Sequence, residues 1–192
     1  MIFKKFIILF ASILFSFFTV VSQNNKLPVT TEYRNDKISF PASFVGNWKG
    51  EMVWSKPGKN IPETFIMELK IQPLKDSAGQ YTWNIIYGSE NKDNRPYILK
   101  AIDSSKGHWV IDELNEIVLD QYWVDHKFQG VFSVQNATIV NRYWIENGKM
   151  MVEFLTYATK PINTTGKGDK ETPFVESYEV RSCQRGVLSR KK

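Results

Sequence analysis

The sequence predicts an all-β protein, folded as an antiparallel up-and-down barrel of about eight to ten strands. Apolar residues recur with a period of two in about ten short runs, which is the spacing of half-buried strands. Turn residues separate the runs, and no segment sustains the spacing of a long helix. Sequential hairpins let a sheet close on itself and remove its unpaired edges, so a barrel is favoured over two stacked sheets.

The predicted strands follow one another in order. In the first, Trp48, Met52 and Trp54 share one face, while Lys49 and Glu51 take the other. Because alternate side chains of a strand point to opposite sides, each apolar face is expected to line the interior. The later faces are Phe65, Met67, Leu69 and Ile71; Tyr81, Trp83, Ile85 and Tyr87; Tyr97, Leu99 and Ala101; Trp109 and Ile111; Ile117, Leu119 and Trp123; Phe128, Phe132 and Val134; Ile139, Tyr143 and Ile145; Val152 and Phe154; and Phe174, Tyr178 and Val180.

Turn signals stand between these runs. Asn147-Gly148 is typical of a two-residue hairpin, because its turn needs a positive φ at both positions. Ala78-Gly79, Lys106-Gly107 and Gln135-Asn136 mark further turns. All eight prolines are expected in the leader or between strands, where no ladder hydrogen bond is lost.

An export signal is predicted over residues 1–22. Lys4 and Lys5 precede an apolar run from Phe6 to Val21, and Ser22 is a small residue at the expected cleavage position. An uncleaved membrane anchor is the alternative, because the run approaches the length that crosses a bilayer. After cleavage no second long apolar run follows, so we expect an exported protein without a membrane span, either periplasmic or secreted. The composition, rich in Lys, Asn and Ile, is typical of a bacterial export substrate.

Three further segments are expected: a flexible, polar leader at 23–43, the barrel domain at 44–185 and a basic C-terminal tail at 186–192. The signal contains two Lys and no acidic residue, so its loss lowers the net charge from +5 to +3. This weak positive charge does not favour nucleic acid as a partner. Cys183 is the single cysteine, so no intramolecular disulfide can form.

The first predicted strand opens with Gly46-Asn47-Trp48, which resembles the G-x-W motif of lipocalins and of the wider calycin group of antiparallel barrels. The resemblance implies that Trp48 closes the bottom of the barrel against an arginine from near the last strand, and Arg181 stands at that place. A guanidinium stacked on an indole is a favourable cation–π contact. The second lipocalin motif, a Thr-Asp-Tyr sequence at a later turn, is absent; the corresponding stretch is Asn141-Arg142-Tyr143-Trp144.

The same opening is similar to that of ten-stranded, nitrobindin-like barrels. Their haem needs an axial histidine from late in the chain, and this chain has no histidine after His126. No haem or other cofactor is therefore expected.

The barrel interior is the predicted binding site for a small apolar or aromatic molecule. Three polar residues, Gln121, Asn141 and Glu176, interrupt otherwise apolar faces. Each is either satisfied by a side chain of a neighbouring strand or available to a ligand. The full set of predicted ligand-binding residues is Trp83, Tyr87, Gln121, Trp123, Asn141, Tyr143, Phe154 and Glu176.

The residues favour a binding protein over an enzyme, and no catalytic or metal-binding residue is assigned. Two histidines, His108 and His126, cannot form a three-histidine zinc site, and Cys183 has no evident base. Three functions stay open. The first is an exported carrier of a small ligand, and the second is a filled barrel whose outer surface binds a protein or a cell-envelope glycan. The third is an enzyme with a carboxylate and a Tyr or His at the barrel mouth. The oligomeric state is not predicted.

Overall fold

A computed structural model describes residues 38–88 and 92–191. The predicted export signal, 1–22, and most of the leader lie outside the described residues. Within these residues, two short 3₁₀ helices, Ala42–Phe44 and Ser104–Lys106, accompany ten strands. The strands are β1 (Gly46–Ser55), β2 (Glu63–Ile71), β3 (Gln80–Tyr87), β4 (Asp93–Asp103), β5 (His108–Asp112), β6 (Val118–Val124), β7 (Lys127–Val134), β8 (Ala137–Glu146), β9 (Lys149–Thr165) and β10 (Val175–Arg190).

Each described strand pairs antiparallel with the next, and β10 returns to pair with β1, which closes the barrel. The predicted all-β antiparallel barrel is therefore confirmed, with ten strands. Closure satisfies the backbone groups that would otherwise form an open edge.

The period of two places the core inside the barrel. Met67, Leu69 and Ile71 of β2 are fully buried, while the residues between them are partly exposed. The same alternation buries Trp48 and Met52 of β1. The interior is thus lined by predicted faces, with one exception. The last predicted face is wrong, because Phe174, Tyr178 and Val180 are exposed, and a register shift between Val180 and Ser182 puts Gly186 and Leu188 of β10 on the inner side instead.

One end of the barrel, called here the closed end, is plugged by the segment before β1. The ring of Phe40 stacks on Phe128 at 4.3 Å and on Trp123 at 5.3 Å. Phe44 is fully buried, and its carbonyl accepts a 2.8 Å hydrogen bond from the indole of Trp48. The last residues of the expected leader therefore belong to the core.

The arginine on Trp48 is Arg190 and not Arg181. The Arg190 guanidinium lies 4.3 Å from the centre of the Trp48 ring and donates to the carbonyls of Ser43 and Val45. Arg181 is exposed and lies 3.9 Å from Glu179. The difference follows from register, because Trp48 pairs with Arg190 across β1 and β10.

The last strand extends further than expected. β10 runs to Arg190, so residues 186–190 of the segment predicted as a tail are part of the barrel. Two prolines expected between strands lie within them, Pro96 in β4 and Pro161 in β9. Both stand where a strand has a neighbour on one side only, since β4 meets β5 from Ile98 and β9 leaves β8 after Ala158. A missing N–H is tolerated at such a position.

The β9–β10 hairpin projects beyond the barrel. In residues 159–182, called here the arm, 161–165 of β9 pair with 175–178 of β10, and at its base Val180 and Ser182 pair with Tyr157 and Thr156. β10 pairs with β1 only from Cys183 onward. Three register shifts interrupt the arm between Ser177 and Ser182. Such bulges bend a strand and change the face to which its side chains point.

Candidate functional site

The end of the barrel opposite the closed end, called here the mouth, has an aromatic floor. Trp83 and Tyr143 are buried and meet edge to face at 5.0 Å. Phe154 packs on Tyr143 at 5.7 Å, and Tyr87 packs on Phe65 at 5.6 Å. Tyr87 and Phe154 are only partly buried. Four of the predicted ligand-binding residues, Trp83, Tyr87, Tyr143 and Phe154, are thus inward-facing residues of this half of the barrel.

Burial sets the chemistry of the two tyrosines. Desolvation raises the pKa of Tyr87 to about 12. It raises the pKa of Tyr143 further still, and the neighbouring phenols of Tyr87 and Tyr97 add to that effect. Both phenols are therefore neutral at physiological pH and are available as hydrogen-bond donors and acceptors.

Arg95 stands at the rim of the mouth. Its guanidinium lies 4.8 Å from the centre of the Tyr87 ring and donates two hydrogen bonds to Asp93, at 2.9 Å and 2.8 Å. Arg95 is not among the residues predicted for the site, although it shares strand parity with Tyr97 and Leu99. Gln121 is predicted for the site because a polar residue interrupts an apolar face, and the same signal applies to Arg95.

Two buried indole N–H groups have no acceptor. The Nε1 atoms of Trp54 and Trp83 are shielded from solvent and make no hydrogen bond among the described residues. The Trp83 indole lies near the Tyr143 hydroxyl and acts against the rise that burial causes in the Tyr143 pKa, but the two groups do not meet hydrogen-bond geometry. Trp54 is a cross-strand neighbour of Gln184, which in turn pairs with Phe154. Both indoles belong to the inward-facing set.

Gln121 and Asn141 satisfy each other in the middle of the barrel. Asn141 Nδ2 donates to Gln121 Oε1 at 2.9 Å, and Gln121 Nε2 donates to Asn141 Oδ1 at 3.3 Å. Gly130 makes room for this pair, since a Cβ there would stand 2.3 Å from Gln121 Nε2. Of the two roles open to each residue, the structure shows the one in which a neighbouring strand supplies the partner.

The other two predicted site residues lie elsewhere. Trp123 belongs to the closed end, where it contacts Phe40 and Phe44. Glu176 is exposed on the arm and accepts a 2.6 Å hydrogen bond from the hydroxyl of Tyr178. Glu176 does not line the interior, because the arm extends beyond the part of β10 that pairs with β1.

The outer wall of β1, β8, β9 and β10 carries two depressions. The first, of about 610 Å³, is lined by apolar Val53, Trp144, Met151 and Val187 and crossed by charged side chains. The second, of about 510 Å³, lies at the base of the arm between Thr138, Tyr157, Thr159, Tyr178 and Val180. Both depressions are on the outside of the barrel.

His108 bonds Asp120 at 2.6 Å and stacks on Tyr122, on the outside of the barrel. Within 38–88 and 92–191, no three His, Cys, Asp or Glu side chains come together as a metal site. In the same ranges, no helix is long and apolar enough to span a membrane.

The comparisons with known proteins show the fold alone. No protein-family model matches the chain, and no curated protein matches it. A crystal structure of a protein of unknown function, from the DUF3598 family of Nostoc punctiforme, matches 78% of this chain with a TM-score of 0.53 and 14% sequence identity. The chain spans about half of that protein, 48% of its length.

Proposed function

We propose that this chain is a binding protein that holds a small apolar or aromatic molecule in the mouth half of its barrel. The observation that carries the proposal is the pair of buried, unpaired indole N–H groups of Trp54 and Trp83. A buried donor without an acceptor costs about 1–3 kcal/mol. Native interiors rarely leave such groups unsatisfied without a bound water, ion or ligand to explain them.

The polar groups around the mouth define what the ligand carries. The indole N–H groups and the guanidinium of Arg95 can donate hydrogen bonds but cannot accept them. An aromatic or aliphatic body would pack against Tyr87 and Phe154, and a carbonyl or carboxylate oxygen would accept from the indoles. The ligand class is therefore an apolar molecule with at least one acceptor oxygen.

The physiological setting follows from the predicted export signal. An exported barrel of this kind acts as a carrier or sequestering protein in the periplasm or outside the cell.

Native mass spectrometry of the chain, expressed from Met1 and purified without detergent, tests this proposal directly. An added mass that is lost on denaturation supports a carrier and identifies the ligand class. An apo mass that stays unchanged with a panel of fatty acids and aromatic acids overturns it.

A second measurement locates the site with the aromatic anion 1-anilinonaphthalene-8-sulfonate as the probe. Trp83→Phe is expected to weaken its binding at least tenfold through the lost N–H donor. Trp144→Phe is the matched control, because Trp144 lies on the outer wall and its Nε1 already donates to Glu146. Equal effects of the two substitutions would place the probe outside the mouth.

The alternative function is a filled barrel that acts through its outer surface on a protein or a cell-envelope glycan. The observation that favours it is the position of both depressions on the outer wall. Aromatic, Met and Arg side chains of the kind found in the first depression are enriched in protein interfaces.

A further inference from the structure

The outward residues of β10 form one continuous row from the barrel to the arm. In the barrel the row contains Cys183, Arg185 and Val187, since Ser182, Gly186 and Leu188 between and beside them are buried. Arg185 and Val187 line the first depression.

In the arm the same row continues with the opposite parity. Tyr178 and Val180 line the second depression together with Tyr157, whose ring lies 6.1 Å from that of Tyr178. The register shift between Val180 and Ser182 inserts one extra residue in β10 and brings Val180 to the outer face. The hydrogen bond from Tyr178 to Glu176 keeps Glu176 on that face. Phe174 lies two residues before Glu176, just ahead of the first strand residue Val175, and its ring lies against Gly168 in the β9–β10 connection.

The row is self-complementary about Val180. Arg185 stands on one side of Val180 and Glu176 on the other, at matching positions in the row. Beyond them, Val187 on one side matches Phe174 on the other. Each half of the row spans about 20 Å at the rise of a strand. A twofold axis at Val180 therefore superimposes cation on anion and apolar residue on apolar residue.

The ends of the row are exposed in this structure. Phe174 is 67% exposed and Val187 is 44% exposed. Val180, at the centre, is 48% exposed. Large apolar side chains grouped on one face in this way mark interaction sites in soluble proteins.

We propose that this outer face binds a second copy of the chain in a twofold antiparallel arrangement centred on Val180. In that arrangement the arm of each copy lies along the outer wall of the other. Phe174 enters the apolar first depression of the partner copy, and Glu176 meets Arg185. An isologous contact of this kind is the commonest form of homodimer, and it closes without leading to fibres.

Arg185 is placed to bind a carboxylate of the second copy. Glu153 is the shared acceptor of Arg185 at 2.7 Å and of Arg142 at 3.4 Å, so one carboxylate faces two guanidinium groups. The Arg185 side chain is 73% exposed, and it can contact a second carboxylate without leaving the first.

Charge reversal tests the arrangement in the full chain, with the dimer measured by sedimentation velocity. Arg185→Glu makes both contacts of a homodimer repulsive, and so does Glu176→Arg. Each variant alone is expected to raise the dimer dissociation constant at least tenfold. An equimolar mixture of the two restores both attractive contacts, so a heterodimer is expected to form from two monomeric variants.

Asp76→Arg is the control, because it makes the same change in charge as Glu176→Arg in the exposed β2–β3 loop. Circular dichroism and urea unfolding confirm that each variant is folded. Arg185→Glu also breaks the ion pair with Glu153, so Val180→Asp, which places two like charges at the axis, provides a second disruptive variant. A monomeric wild-type chain at about 100 µM, or a mixture that stays monomeric, overturns the proposal.

Thiol chemistry gives an independent readout of the axis. Val180→Cys in a Cys183→Ser background is expected to form a covalent dimer on aerobic oxidation, because residue 180 faces its own copy. The wild-type Cys183 faces Tyr178 of the other copy and is expected to remain reduced under the same conditions. A disulfide through Cys183 and none through residue 180 would place the axis elsewhere and overturn the arrangement.

Discussion

Replacing one member of the buried Gln121–Asn141 pair is expected to destabilise the barrel more than replacing both. Gln121→Met keeps the length of the side chain but leaves both polar atoms of the Asn141 amide without a partner in a buried site. At about 1–2 kcal/mol for each orphaned group, the single substitution costs about 2–4 kcal/mol. Asn141→Leu keeps the branching of the side chain and likewise leaves the polar atoms of Gln121 without a partner. It is expected to cost a similar amount.

The double variant, Gln121→Met with Asn141→Leu, removes the donors and acceptors together. It is expected to cost about 1 kcal/mol, since replacing both partners by apolar groups of the same shape is close to neutral. Urea unfolding of the four proteins gives a coupling energy of at least about 2 kcal/mol, and the single variants are expected to melt about 5–12 °C below the wild type. Additive costs would refute this reasoning, because they would mean that solvent or other groups satisfy each amide on its own.

Three further predictions concern other parts of the barrel. Arg190→Ala is expected to lower the free energy of unfolding by about 1–2 kcal/mol, through the lost cation–π contact and carbonyl hydrogen bonds, and Arg181→Ala by less than about 0.5 kcal/mol, both measured by urea unfolding. Gly50→Ala is expected to destabilise more than Gly186→Ala in the same assay. A Cβ at the first position meets a backbone carbonyl at 2.2 Å, whereas at the second it meets a movable methionine sulfur. Because burial raises the pKa of Tyr87 to about 12, its contribution to stability is complete below pH 10 and is lost as pH rises from 10 to 12. Tyr87→Phe is expected to flatten that loss in urea unfolding at pH 9 to 12, and an unchanged slope would contradict the assignment.

The period-two pattern predicted the strands because burial on one face is the strongest constraint on a barrel strand. Trp83, Tyr87, Tyr143 and Phe154 were predicted as inward residues, and all four are inward in the mouth half. The Asn147-Gly148 pair also predicts a hairpin, and both residues have positive φ. These features depend on residues that are close together in the chain, so a single sequence is enough to predict them.

The features that the sequence did not predict depend on the register between strands distant in the chain. Arg181 and Arg190 are both arginines of the last strand, and only the pairing of β10 with β1 places the second on Trp48. The bulges in the arm likewise reverse the parity of Tyr178 and Val180, which a strict alternation places inside. A short irregularity of this kind leaves no mark in hydrophobic periodicity.

The apolar residues of the arm, some of which the sequence pattern wrongly places inside the barrel, also bear on function. In the barrel part of β10, an apolar side chain is explained by the core, as for Leu188, which is fully buried. In the arm, Phe174 and Ile162 lie outside the barrel interior and remain largely exposed. A lone two-stranded ribbon is marginally stable in water and gains stability when an apolar face is covered. The apolar content of the arm is therefore better explained by a contact with another surface than by the folding of the chain itself, and the outward row of β10 offers a matching surface on a second copy.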